Sequence, residues 1–243
     1  HICDTHLTLP TLTESQKATG KYFIFVALLF LCQSLVGGAL AHYRVEPTFY
    51  GFPIADYLPY NLLRTWHLQL AIFWVATAWV AGGLFIAPLL SQNEPRYQKR
   101  GVDLLFAALL IVVAGSLIGE YLSSRDFFHG ELWFWFGNQG SEYLDLGRFW
   151  QYLLIAGFSF WLFLLFQALK PAFRMPPRRE LTILFFLTAS TIPIFYVPAV
   201  FYNHETHYTL IDNWRFWIIH LWVEGFFEVF ATVLVAIISV QMG

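Results

Sequence analysis

Between residues 214 and 230 the chain reads W-R-F-W-I-I-H-L-W-V-E-G-F-F-E-V-F, an apolar run interrupted by His220, Glu224 and Glu228 at intervals of four. On an α-helix of 3.6 residues per turn, that spacing places the three on one slowly drifting face. An imidazole nitrogen and a carboxylate oxygen one turn apart can share a cation, and a borderline metal such as iron accepts both ligand types. The cation would in turn offset the charge of the carboxylate. Glu228, a further turn along, is placed to relay protons or to hold a ligand by hydrogen bonding. The same pattern also serves a polar network between helices, and spacing alone leaves the two open.

Two other groups have chemical potential. In L-L-R-T-W-H-L-Q-L-A-I-F-W, 62–74, His67 lies near the start of an apolar run, and Ala71, Trp74, Ala78 and Gly82 follow on roughly the same face. The small members leave room for a flat macrocycle beside the imidazole, a common axial ligand of haem iron. A lone histidine near a helix edge more often hydrogen-bonds at an interface, and that reading stands beside the first. In L-A-H-Y-R-V-E-P-T-F-Y-G-F, 40–52, helical geometry continued past Ala41 puts His42 and Glu46 on one face, with Phe49 and Tyr50 nearby. His and Glu can receive the protons of a phenolic substrate while aromatic rings cover it. An ordinary Arg44–Glu46 surface ion pair is the alternative.

Membrane-crossing helices must hold these residues. The 243-residue chain is 58% hydrophobic and only 12% charged, with 26 Phe, 12 Tyr and 10 Trp, against about a quarter charged for a soluble domain. Apolar runs at 21–41, 62–90, 103–119, 147–169, 181–202 and 214–240 approach or exceed the roughly 20 helical residues that cross a hydrocarbon core of about 30 Å. The expected fold is all-α, a polytopic membrane helix bundle, with 1–20 as a lead-in and 21–243 as the transmembrane domain. Pro88, Pro193 and Pro198 fall near span ends or where neighbouring helices can satisfy the freed carbonyls. Two unpaired acids in midspan oppose insertion into lipid, so the last span is expected to turn its stripe toward a bundle interior.

The connections alternate in charge. Residues 91–102 carry Arg96, Lys99 and Arg100 against Glu94, and 170–180 carry Lys170, Arg174, Arg178 and Arg179 against Glu180. Residues 42–61 set Arg44 against Glu46 and Asp56, and 120–146 set Arg125 against Glu120, Asp126, Glu131, Glu142 and Asp145. Glu205 and Asp212 make the last connection acidic. The positive-inside rule therefore puts both ends of the segment in the cytoplasm and the acidic connections outside. Those outer connections hold Trp133, Phe134, Trp135 and Phe136, then Phe201, Tyr202, Tyr208 and Trp214, as an interfacial aromatic belt or a cover for a cofactor. His204 and His207 lie among them and are read as interfacial residues despite their His-x-x-His spacing. A net charge of -2 without a basic block disfavours nucleic acid. Cys3 and Cys32 suggest no disulfide framework. The sequence opens on His1 with no signal-peptide pattern, and its last apolar run reaches almost to Gly243. It is read as part of a longer polypeptide.

In order along the chain, L-P-Y-N-L-L-R-T-W-H at 58–67, L-W-F-W-F-G-N-Q-G-S-E-Y-L-D-L-G-R-F at 132–149, and H-L-W-V-E-G at 220–225 followed by Glu228 resemble the catalytic part of quinol-dependent nitric oxide reductases, relatives of the haem-copper oxidases. The resemblance covers nearly the whole chain. It implies a fold of twelve or more helices in the bacterial cytoplasmic (inner) membrane, six of them here. The remaining helices of the same catalytic chain would supply the other haem and iron histidines.

The resemblance further implies that His67 ligates the low-spin haem b, and that His220 and Glu224 ligate a non-haem iron facing a high-spin haem b3. Glu142 would hold a structural calcium ion (Ca2+), Glu228 and Asp145 would be acids near the centre and in proton delivery, and His42, Glu46 and Tyr50 would form the quinol pocket. Tyr50 stands where relatives often carry Phe. Oxygen-reducing relatives generally carry Tyr at the position of Glu224 and bind copper through three histidines. The implied reaction is therefore the reduction of two nitric oxide molecules to nitrous oxide and water, with quinol, nitric oxide and the lipid bilayer as partners. A homo-oligomer is compatible with it. An oxygen-reducing quinol oxidase, a haem-free proton-conducting transporter and a purely structural membrane protein are the competing readings.

Overall fold

The computed structural model of the chain describes residues 11–46, 48, 51–138 and 146–242. Among them six helical stretches are long and apolar enough to cross a membrane. The protein is an all-α, multi-pass membrane protein. Helix α1, Glu14–Tyr43, begins well before residue 21 because Thr13 and Gln16 close a capping box. Gln16 N–H donates to Thr13 Oγ1 at 3.3 Å, and Gln16 Oε1 accepts from Thr13 N–H at 2.9 Å. The expected lead-in is thus partly helical.

A single turn, α2 (Ile54–Tyr57), leads into α3 (Tyr60–Ser91). Pro88 sits in the last turn of α3, and Gln92 leaves it in the left-handed region at φ 51°, which ends the helix. Helices α4 (Gln98–Ser124), α5 (Glu131–Phe136) and α6 (Arg148–Leu169) follow. Helix α7, Pro176–Tyr196, tightens into a 3-10 turn over Val197–Val200, where Pro198 removes a donor. The last span is composite: α8 (Tyr208–Leu221), a π-helical segment Trp222–Glu228, and α9 (Val229–Met242).

Helices α1 and α3 run antiparallel. At one end Glu94 accepts from Ser15 N–H at 2.6 Å and Gln16 donates to the Phe85 carbonyl at 2.8 Å; toward the other, Gly37 abuts His67. Tyr22 O–H ties α1 to α4 through the Val102 carbonyl at 2.7 Å, and Trp161 Nε1–H ties α6 to α3 through the Val80 carbonyl at 3.1 Å. Lipid gives helices no hydrophobic reason to associate, so close packing and such bonds hold the bundle. Trp161, Phe185, Phe226 and Phe230 are wholly buried, with Phe185 stacked on Phe230 at 5.3 Å. A Cβ on Gly83 would come within 2.9 Å of Trp161, so glycine is what lets the indole lie against α3. Ile24, Leu35, Leu104, Leu187 and Val240 are exposed, as lipid-facing residues should be.

Candidate functional site

The last span has two unlike faces. Ile218, Trp222, Phe226 and Phe230 are buried, while Phe216, His220, Glu224 and Glu228 are exposed. Each series advances by four residues. In an α-helix each such step drifts by about 40°, so three steps would swing the face by about 120°. The π-helical segment at Trp222–Glu228 has wider turns, which take up that drift and keep each series on its own side. Gly225 faces Phe195 of α7, where a Cβ would meet the ring at 2.9 Å.

On the exposed face His220 lies flat against Phe216, with ring centres 5.2 Å apart and an interplanar angle of 18°. Its Nε2 is 3.5 Å from Glu224 Oε1. Two donors each about 2.1 Å from a first-row divalent ion lie about 3.0–3.5 Å apart, so the pair fits one cation. The side chains are 50% and 60% exposed, respectively. Within these helices Trp222, Phe226 and Phe230 fill the interior, and the stripe lies on the opposite side. Among the described residues no group of three or more His, Cys, Asp or Glu is placed to share a metal ion.

His67 is half-buried between α3 and α1. Its Nδ1 lies 3.0 Å from the backbone carbonyl of Gln33. A carbonyl only accepts, so Nδ1 carries the proton and Nε2 keeps a lone pair, the arrangement of a metal-ligating histidine. The Gln33 side-chain amide nitrogen lies 3.3 Å from each ring nitrogen and so sits over the Cε1 edge of the ring. The face expected to stay open for a macrocycle is partly covered: Phe30 meets Trp74 edge-on at 5.4 Å, and Gly82 faces Leu234. The cause is the close approach of α1 and α9, which hydropathy does not encode.

At the end of α1, His42 Nε2 is 3.7 Å from Glu46 Oε2 and 3.3 Å from the Thr48 carbonyl. Arg44 turns to Tyr60, donating to its hydroxyl at 2.8 Å, so the structure favours a His42–Glu46 pair over the Arg44–Glu46 ion pair. Tyr50, Glu142 and Asp145 lie outside the described residues. His207 caps α8, its Nδ1 accepting from Thr209 N–H at 3.3 Å, and His204 packs edge-on against Phe134 at 5.4 Å.

Among the described residues, three buried acidic or basic side chains were not singled out from the sequence. Glu120 accepts a hydrogen bond from the Gln69 amide, and both residues are buried. Arg148 donates to the Tyr202 carbonyl, and Arg215 is likewise buried. A polar residue at the margin of an apolar run was the available signal, but margins usually meet headgroups. A cavity of about 150 Å³ lies among α3, α4, α6 and α8, walled chiefly by apolar side chains, with Gln69, Thr77 and Arg215 on its lining.

Residues 17–243 match the family model described as cytochrome c and quinol oxidase polypeptide I. The chain is also similar to a nitric oxide reductase polypeptide of Stutzerimonas stutzeri, 24% identical over 235 residues, which are 94% of this chain and 46% of that protein. It spans about half the length of the curated relative it matches.

Proposed function

The chain belongs to the cytochrome c and quinol oxidase polypeptide I family, and we propose that it forms part of a quinol-dependent nitric oxide reductase. The observation that carries this reading is the nitrogen–oxygen pair of His220 Nε2 and Glu224 Oε1, 3.5 Å apart on the polar stripe of a membrane-crossing helix. Imidazole and carboxylate suit iron, and a bound cation would repay the cost of an acid at that depth. The similarity to the Stutzerimonas stutzeri nitric oxide reductase polypeptide supports the same choice.

When bound, low-spin haem b, high-spin haem b3 and a non-haem iron would supply electron transfer and the binding of nitric oxide. His67 would hold haem b through Nε2, which its bonded Nδ1 leaves as donor. His220 and Glu224 would hold the non-haem iron, with Phe216 keeping the imidazole plane in place. Other ligands would come from helices beyond these six. Glu228, one turn beyond Glu224, would hold and release a proton at its carboxyl; Asp145 would serve proton delivery and Glu142 would hold calcium. His42 and Glu46 would accept the two hydroxyl protons of a quinol, with Tyr50 completing the pocket. The reaction balances as one quinol and two nitric oxide giving one quinone, one nitrous oxide and one water. The apolar cavity beside α8 is large enough for a diatomic gas.

The test is optical and metal analysis of the complete protein, wild type and Glu224→Ala. Wild type should hold two b haems and one further iron. The variant should lose the further iron and nearly all nitric oxide turnover while keeping the low-spin haem spectrum. Absence of haem, copper in place of iron, or a variant with unaltered iron and turnover would each overturn the proposal.

A further inference from the structure

Residues 37 and 38 are both glycine, inside the apolar stretch of α1. Their surroundings differ completely. A Cβ built on Gly38 meets nothing within 4 Å, whereas one on Gly37 meets His67 Cε1 at 2.6 Å, Nδ1 at 3.0 Å and Nε2 at 3.5 Å. The first distance is far inside carbon–carbon contact. The obstacle is a rigid ring, not the end of a flexible chain, so a side chain at residue 37 and the present imidazole position exclude each other.

The carbonyl that anchors the ring belongs to Gln33, one turn before Gly37. Side chains on a helix lean toward its N-terminus, so a residue at position 37 covers the surface around that carbonyl. Glycine there uncovers it, and the ring can reach the backbone at 3.0 Å. We propose that Gly37 and the Gln33 carbonyl together are the positioning device for His67, setting its rotation and tautomer so that Nε2 is the ligating nitrogen. This rests on the reading of His67 as a haem ligand. Gly37 touches no substrate and acts only through the histidine.

The experiment compares Gly37→Ala with Gly38→Ala in the complete protein, reading low-spin haem per protein, its reduced optical spectrum, the electron paramagnetic resonance of its ferric form, and its reduction potential. Alanine favours helix at both positions, so helix propensity cannot separate them. Gly38→Ala should match wild type. Gly37→Ala should weaken low-spin haem retention about 10- to 100-fold, the range for groups that orient a metal-ligating histidine, and shift the resonance of any haem retained. A Gly37→Ala protein with wild-type low-spin signals, or a Gly38→Ala protein equally affected, would overturn the proposal. If Gly37→Ala does not accumulate, adding His67→Ala should restore accumulation by removing the obstructing ring, and failure to restore it would equally count against it. Wild-type protein without low-spin haem would defeat the functional reading itself, an outcome distinct from the other two.

Discussion

Replacing Glu224 and Glu228 with Leu should affect membrane insertion and metal binding in opposite directions. Glu224 is the middle residue of the span Tyr208–Val240, and Glu228 lies about 6 Å further along at 1.5 Å per residue. Both therefore fall within a hydrocarbon core of about 30 Å. An acid at that depth costs of order 2.5–3.5 kcal/mol on the insertion scale and leucine contributes about -0.5, so each replacement should favour insertion by about 3–4 kcal/mol and the pair by about 6–8. The assay places residues 208–240 in a carrier membrane protein with glycosylation tags on both flanks, in a context where about half the wild-type spans insert. A single replacement should then raise the ratio of inserted to uninserted chains by about two to three orders of magnitude. In the complete protein, the same Glu224→Leu change should release the non-haem iron. Insertion indifferent to either replacement would show that the acids carry no such cost, and the argument that a bound cation explains them would fail.

Two further outcomes are expected. His42→Ala or Glu46→Ala should slow quinol oxidation more than turnover driven by an artificial electron donor, and equal loss with both donors would undo the His42–Glu46 assignment. Gln69→Leu should destabilise the bundle by about 1–3 kcal/mol, because it strips the buried Glu120 carboxyl of its amide partner. Glu120→Gln, which keeps that bond possible, should cost less; thermal unfolding in detergent would compare them, and equal losses would refute the pairing argument.

The number of spans, their order and their approximate positions were legible in the sequence because crossing a bilayer demands length and apolarity, both local properties. Pro88, Pro193 and Pro198 fell near span ends, as their missing donors require. The start of α1 was also written in the sequence, in the capping-box pair Thr13 and Gln16, ahead of the apolar run at 21–41. The pairing of His220 with Glu224 and of His42 with Glu46 followed from helical spacing.

Tertiary packing decided the rest. A spacing of four predicts a drifting stripe, yet Trp222, Phe226 and Phe230 keep one face against the core and the π-helical segment removes the drift, so the acids stay together on the opposite side. No residue type announces that turn, because it is set by which face the neighbouring helices bury. The two adjacent glycines of α1 make the point most simply. They are chemically identical, and only the approach of α3 gives one of them an imidazole to accommodate and leaves the other facing open space.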